Sequence, residues 1–387
     1  MRCAWAVSHG VSMTFPIDGG PAARNPHIHL AAFGWTPLVA VTYEACLRTI
    51  TLPAKVQPLA EPARVLAEHY HTWQVALSGG LRDAELSGLF AAHVLEDHDR
   101  PKVGDWVVAT CEGLGRAVIH AVLPRSGVLV RRSAGNMDRD QLLAANVDCV
   151  FIVSGLDHDH NPRRIERYLI LVRDGGSDPI VVLNKRDLCD NVPAHVAEVA
   201  AVAGGAPIVA ISAISRVGLA ALSPFLAPGR TVAVLGSSGA GKSSLVNALL
   251  DDDRQVVGAV RSDDARGRHT TTARALIPLP GGAVIIDTPG MREVGLAVDS
   301  ESVARNFTEI AELAPACRFR DCTHQHEPGC AVLAAVESGD IPAERVAGYA
   351  KLMREVDATR MHRQYNRHRR ARLEVRSHKR SFDSTQP

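Results

Sequence analysis

The spacing of hydrophobic positions changes along the chain, and each change marks a different kind of structure. Residues 1 to about 29 mix polar positions with Gly19-Gly20-Pro21 and show no apolar period, which predicts a weakly structured leader, with Met13 as an alternative start. Phe33, Trp35, Leu38, Val39 and Leu47 predict a small helical piece packed on its neighbour, and Pro53, Pro58 and Pro62 then mark a linker. From Arg64 to about Arg132 the apolar runs are short and broken by Gly and Pro. Arg64–Tyr70 and Thr72–Leu77 read as a hairpin, followed by strands at Gly104–Ala109 and Ala117–Leu123. Such spacing predicts a small β-barrel of the OB type, used either for oligonucleotides or for packing alone. Tyr70, Trp73 and Trp106 are either base-stacking surfaces or core.

From Asp148 onward, continuous apolar runs alternate with helical periods. Strands are predicted at Cys149–Val153, Pro179–Leu183, Pro207–Ile211, Thr231–Leu235 and Ala283–Ile286, with helices over Arg163–Val172 and Val192–Val202 between them. Runs without polar alternation are buried on both faces, the signature of a parallel sheet covered by helices. Ligands in such folds sit at the carboxyl ends of the strands.

The candidate chemistry falls at those ends. Gly236-Ser237-Ser238-Gly239-Ala240-Gly241-Lys242-Ser243, with Ser244 behind it, lies between a strand and a helical run and reads as a phosphate-binding loop. Its glycines let backbone N–H groups turn toward phosphate oxygens, Lys242 reaches the outer phosphates, and the Ser243 hydroxyl suits Mg2+. Asn184-Lys185-Arg186-Asp187 follows another strand. The Asp187 carboxylate can accept from the two adjacent N–H donors of guanine, which adenine lacks, so the nucleotide is read as GTP. Ser212-Ala213 resembles the loop that completes a guanine pocket through a backbone N–H. Asp287-Thr288-Pro289-Gly290 puts Asp287 at the Mg2+ shell through water and the Gly290 N–H at the γ-phosphate. Between these lies Gly267-Arg268-His269-Thr270-Thr271-Thr272, a switch loop in which one of the three threonines completes the Mg2+ shell.

The order of these motifs is inverted: the guanine loops come before the phosphate loop, as in a circularly permuted domain whose ends lie close together. Met291 stands after Gly290, where many GTPases have a glutamine that orients water. Slow intrinsic turnover is therefore expected. His269 either orients or deprotonates water, or only positions its loop.

Cys317-x4-Cys322-x-His324-x5-Cys330 is a dense set of three thiols and an imidazole, suited to one structural Zn2+ with no open position; His326 is a competing imidazole. Asp157-His158-Asp159-His160 reads as a solvated loop rather than a metal site. Pro342 is placed to start a helix with Val346, Tyr349, Leu352, Met353 and Val356 as its stripe. Beyond it, Arg360 to Arg380 carries nine cations against Glu374 alone, a nucleic-acid footprint.

Composition narrows the class. The 387 residues are 46% hydrophobic with a formal charge of +1, enough for two or three packed domains. Eight cysteines, clustered only near Cys317–Cys330, fit a reducing cytoplasm rather than a disulfide scaffold. No stretch has the length of a membrane span, and the start lacks an apolar signal core.

Together, the barrel ending near Pro124-Arg125, Asn184–Asp187, the phosphate loop, Gly267–Thr272, Asp287–Gly290 and the Cys-Cys-His-Cys set resemble the RsgA (YjeQ) family of small-subunit-dependent, circularly permuted GTPases. The resemblance runs from about Arg64 to Arg370, and the Trp35 region is similar to the N-terminal piece of longer members. It implies an N-terminal OB barrel, a permuted GTPase domain and a helical zinc domain, with His324 rather than His326 as the ligand. It also implies late maturation of the small ribosomal subunit, with GTP hydrolysis stimulated by that subunit and its rRNA as partner. The expected boundaries are 1–62 for extension and linker, 63–134 for the barrel, 135–298 for the GTPase domain and 299–387 for the zinc domain and basic tail. A cytoplasmic monomer is expected. The alternative reading is a GTP-dependent RNA-binding switch with incidental hydrolysis; a permuted GTPase of the large subunit or another RNA is a weaker one.

Overall fold

The computed structural model describes residues 3–6, 12–15, 28–113, 115–132, 140–250, 275–287, 300–358, 360, 361 and 365. The chain forms two compact units. One comprises residues 1–129 and 142–293, the other 130–141 and 294–387.

In the leader, β1 (Cys3–Ala6) and β2 (Ser12–Phe15) pair as a short antiparallel ribbon. A short helix, α1 (Ile28–Ala31), and a longer one, α2 (Pro37–Thr49), follow. Thr36 caps α2 by accepting from the Val39 N–H at 3.4 Å, and Pro37 occupies the first turn, where its missing N–H costs nothing.

The barrel is built from β3 (Glu61–His69), β4 (Thr72–Leu77), β5 (Gly80–Leu86), β6 (Trp106–Cys111) and β7 (Ala117–Val122). The order is β3-β4-β5-β7-β6, and β6 returns to β3 to close it; only the β5–β7 pair is parallel. A helix, α3 (Gly88–His93), leads away from β5. The inward positions Val65, Trp73, Val75, Leu77, Val107 and Ile119 fill the interior. Trp73 and Trp106 are core residues: each is almost fully buried, and the Trp73 indole donates to the Pro101 carbonyl at 2.8 Å. Tyr70, on the β3–β4 turn, is exposed. β5 escaped the hydrophobic pattern because Arg82, Asp83 and Glu85 dilute it.

A ribbon of β8 (Val128–Arg132) and β9 (Asp140–Ala145) precedes the α/β layer. That layer contains β10 (Cys149–Gly155), α4 (Pro162–Asp174), β11 (Asp178–Asn184), α5 (Val192–Ala203), β12 (Ile208–Ala210), β13 (Thr231–Gly236), α6 (Lys242–Leu249), β14 (Ala275–Pro278) and β15 (Val284–Asp287). The parallel strands run β12-β11-β10-β13-β15, with β14 antiparallel beside β15. The buried β10, β11 and β13 are the continuous apolar runs of the sequence. β14 pairs in turn with β3 through Ala275 and Ala67, so the barrel and the parallel layer share one hydrogen-bonded sheet.

Arg64 fastens the same seam. Its side chain is fully buried, lies over the Trp106 ring at 4.7 Å and donates to the Thr231 hydroxyl at 3.0 Å, where β13 begins. Trp35 meets Trp106 edge-on at 5.1 Å, which brings the N-terminal piece onto the same spot. Burial lowers the guanidinium pKa to about 10 against the pull of Asp148 and Asp105, so Arg64 stays charged at neutral pH.

The second unit contains helices Ser300–Asn306, Thr308–Leu313, Ala331–Ser338 and 343–358; Phe307 is fully buried, with Tyr349 edge-on to its ring at 5.4 Å and Arg345 over it at 3.8 Å. Val346, Leu352 and Val356 form the buried stripe of the last helix, with Tyr349 and Met353 half-buried. Nearly all of the arginine-rich tail lies outside the described residues. No helix among the described residues is long and apolar enough to cross a membrane.

Arg64→Ala leaves a cavity beside Trp106 and unpairs Thr231, and should cost about 3 kcal/mol or more. Arg64→Met, which keeps the volume, should recover part of that. Urea unfolding of the two variants checks this, and an unchanged midpoint for Arg64→Ala contradicts the role given to the seam.

Candidate functional site

Because β10, β11, β12, β13 and β15 are parallel, their carboxyl ends form one edge, and the loops leaving them converge there. The loop after β13 turns tightly on two glycines. A Cβ at Gly236 would lie 2.2 Å from the Val153 carbonyl oxygen, and one at Gly241 would lie 2.2 Å from the Asn184 amide nitrogen. Gly241, with φ at 90°, caps α6, so Lys242 starts the helix and the loop faces its positive end. The Lys242 ammonium donates to the carbonyls of Gly236 at 2.8 Å and Ser237 at 2.6 Å. Ser238, Gly239 and Ser243 are exposed, and Ala240 is buried beneath them.

Asn184 is the internal tie of this edge. It is 2% exposed; its amide nitrogen donates to the Ala240 carbonyl at 3.0 Å, and its oxygen accepts from the Ala213 N–H at 2.9 Å. One side chain thus pins the loops after β11, β12 and β13 together. Of the Ser212-Ala213 pair, the Ala213 N–H is donated to Asn184. The Ser212 hydroxyl accepts from the Ser215 N–H at 3.1 Å and shapes its own turn. Lys185 takes a left-handed conformation, φ 64°, and its ammonium reaches Asp157 at 2.5 Å. Asp187, in the 3-10 turn Arg186–Leu188, is exposed at the mouth of the edge. Asp287 ends β15, next to the phosphate-loop strand. Ser244 is half-buried. His269, the three threonines Thr270, Thr271 and Thr272, Gly290 and Met291 lie outside the described residues.

The loop Asp157–His160 is not simply solvated. Asp157 and Asp159 are half-buried; Asp157 takes Lys185, and Asp159 accepts from the Ser237 hydroxyl and pairs with Arg164 at 2.8 Å. Burial raises the Asp157 pKa, but the hydrogen bond and charge of Lys185, the Asp159 N–H and the neighbouring His158 together hold the carboxyl below its ordinary value. The sequence does carry a signal for this loop: carboxylates directly after a fully buried strand, at the edge where ligands bind.

In the second unit, Cys317, Cys322, His324 and Cys330 bring their donor atoms within 4.8 Å of one another. The Cys317 and Cys330 sulfurs are 3.7 Å apart, and His324 Nδ1 lies 3.6 Å and 3.4 Å from them. A tetrahedral ion at Zn–S and Zn–N bond lengths requires edges of about 3.5–3.8 Å, so the donor set fits a metal. His324 is buried with φ 56°, a strained backbone that turns its ring inward, whereas His326 is exposed and outside the group.

A model of the RsgA GTPase family matches residues 122–297. Small ribosomal subunit biogenesis GTPase RsgA of Opitutus terrae is 49% identical over 77% of this chain and 85% of its own length. Its namesake from Xylella fastidiosa strain 9a5c is 46% identical over 84% of this chain and 94% of its own. The chain belongs to the RsgA GTPase family. It is accordingly a GTP hydrolase. The crystal structure of YjeQ from Thermotoga maritima, 28% identical, overlays with a TM-score of 0.59 over 77% of this chain and 99% of that one. The fold is also that of YloQ, described as a circularly permuted GTPase, at 21% identity and a TM-score of 0.55 over 77% of this chain and 96% of that one. In this RsgA-family chain the permutation is visible in the sheet: β13 follows β10, β11 and β12 in sequence yet sits between β10 and β15.

Asn184→Ala would orphan the buried Ala213 N–H and Ala240 carbonyl, at about 1–3 kcal/mol each. A lower urea midpoint and at least about tenfold weaker GDP binding, some 1.4 kcal/mol, are expected. Unchanged values in both measurements would remove Asn184 from its place as the tie.

Proposed function

We propose that the protein is a cytoplasmic, monomeric GTPase that binds the small ribosomal subunit through its rRNA, assists late maturation, and hydrolyses GTP to GDP and phosphate when the subunit stimulates it. The observation that carries this reading is the Asn184 tie, which gathers the loops after β11, β12 and β13 at one edge of a permuted GTPase sheet. It is supported by relatives named for small-subunit biogenesis. The domains are read as 1–62, 63–134, 135–298 and 299–387.

Asp187 accepts from the guanine N1–H and amino group, while the stem of Lys185 lies under the base, its ammonium anchored by Asp157. The backbone N–H groups of Gly236 to Ser244 face the phosphates. Lys242, now on two loop carbonyls, would exchange them for phosphate oxygens as GTP enters. Ser243, Asp287 and one threonine of Thr270–Thr272 would hold Mg2+, which supplies charge neutralisation of the phosphates. The Gly290 N–H meets the γ-phosphate. With Met291 unable to orient water, His269 orients or deprotonates it when the subunit stimulates turnover. Cys317, Cys322, His324 and Cys330 hold one structural Zn2+. The barrel and the arginine-rich tail supply the rRNA contacts.

Multiple-turnover GTP assays with and without purified small subunits test the reading. Stimulation of at least about tenfold, 1.4 kcal/mol off the barrier, is expected. The absence of any stimulation would leave an RNA-binding switch with incidental hydrolysis. For the base, Asp187→Asn should reduce GTP turnover and admit xanthosine triphosphate, whose C2 carbonyl suits an amide donor; equal GTP turnover in that variant would refute the assignment of Asp187.

A further inference from the structure

The loop between β10 and α4 ends in His160, which faces His195 and Glu198 one turn apart on α5. His160 Nε2 lies 3.2 Å from Glu198 Oε2, and His195 Nδ1 lies 3.3 Å from the same oxygen. The two imidazole rings are 4.5 Å apart, and one donor atom from each of the three residues lies within 4.8 Å of the others. We propose that His160, His195 and Glu198 form a second metal site, for a first-row divalent transition ion such as Zn2+, on the flank of the nucleotide loops.

The geometry suits such an ion. Nitrogen and oxygen ligands at about 2.0–2.1 Å in a tetrahedron stand about 3.3 Å apart, which matches both nitrogen–oxygen separations. The His160 side chain is 9% exposed, so its ring is held in place, and its buried Nδ1 has no partner among the described residues. The ring proton can therefore sit on Nδ1, leaving the Nε2 lone pair toward Glu198. Arg164, the nearby cation, is engaged by Asp159 at 2.8 Å. Glu198 is half exposed and gives both an entry path and room for water as the fourth ligand. Two imidazoles and a carboxylate suit Zn2+, Ni2+ or Cu2+, whereas Mg2+ prefers oxygen alone. Of the four residues Asp157 to His160, the site uses only the last.

An ion here joins α5 to the loop whose Asp157 holds Lys185 and whose Asp159 holds the Ser237 hydroxyl. It therefore stiffens the nucleotide edge from outside, a consequence that rests on the nucleotide reading above, although the metal site itself does not.

The test uses the full chain, equilibrated with Zn2+ and dialysed, with metal counted by mass spectrometry. His195→Ala and Glu198→Gln should each hold one zinc fewer than the unaltered protein. In the Co2+-substituted forms, the spectrum of the unaltered protein minus that of His195→Ala should show weak d–d bands without thiolate charge transfer, which separates this site from the cysteine cluster. An equal zinc count in His195→Ala, or thiolate charge transfer in the difference spectrum, overturns the site. Fluorescent GDP should bind severalfold tighter with Zn2+ in the unaltered protein and not in His195→Ala. A lost zinc with unmoved GDP affinity overturns the link to the nucleotide edge while the site stands.

Discussion

The nucleotide edge depends on one buried amide. Asn184 must find partners for both ends of its side chain because it is shut away from water, and an unpaired end would cost more than the bond is worth. It finds them in two other loops, at Ala240 and Ala213. Gly241 follows from the same constraint, since any side chain there would strike that amide. The loops after β11, β12 and β13 are thereby set in register with one another.

A second layer of support surrounds the first. Asp157 and Asp159 sit behind Lys185 and Ser237 and fix two of the loops from the rear. The arrangement is one of short polar bridges over a sheet whose strands β10, β11 and β13 are buried on both faces. The apolar layer supplies the rigidity and the bridges supply the placement, which suits chemistry that rests on positioning more than on any covalent step.

Much of this was legible in the sequence, for physical reasons. Fully buried parallel strands must be continuously apolar, so β10, β11 and β13 stood out, whereas β5, carrying Arg82, Asp83 and Glu85, and the four-residue β14 did not. The tight turn between β13 and α6 was readable because its close approaches require glycine at Gly236 and Gly241. The cysteine set was readable because its donor groups are close in sequence as well as in space. Asn184 was legible as a motif member but not as a tie, because its partners lie 29 and 56 residues away. His195 and Glu198 look like any exposed helical face until His160 is brought against them. Trp73 and Trp106 could be base platforms or core on sequence alone, and burial decided between them.

The pairing of β14 with β3 bears on how such a protein can be taken apart or recombined. One edge of β3 is divided: its first half closes the barrel against β6, and Ala67 bonds to β14 of the parallel layer. A barrel cut free of the rest would keep its closure but carry a bare strand segment and an arginine stripped of Thr231. An open β edge is an invitation to self-association. The barrel therefore does not behave as an exchangeable cassette: shuffling it onto another protein, or replacing it with a foreign barrel, requires carrying β14 and the start of β13 along with it.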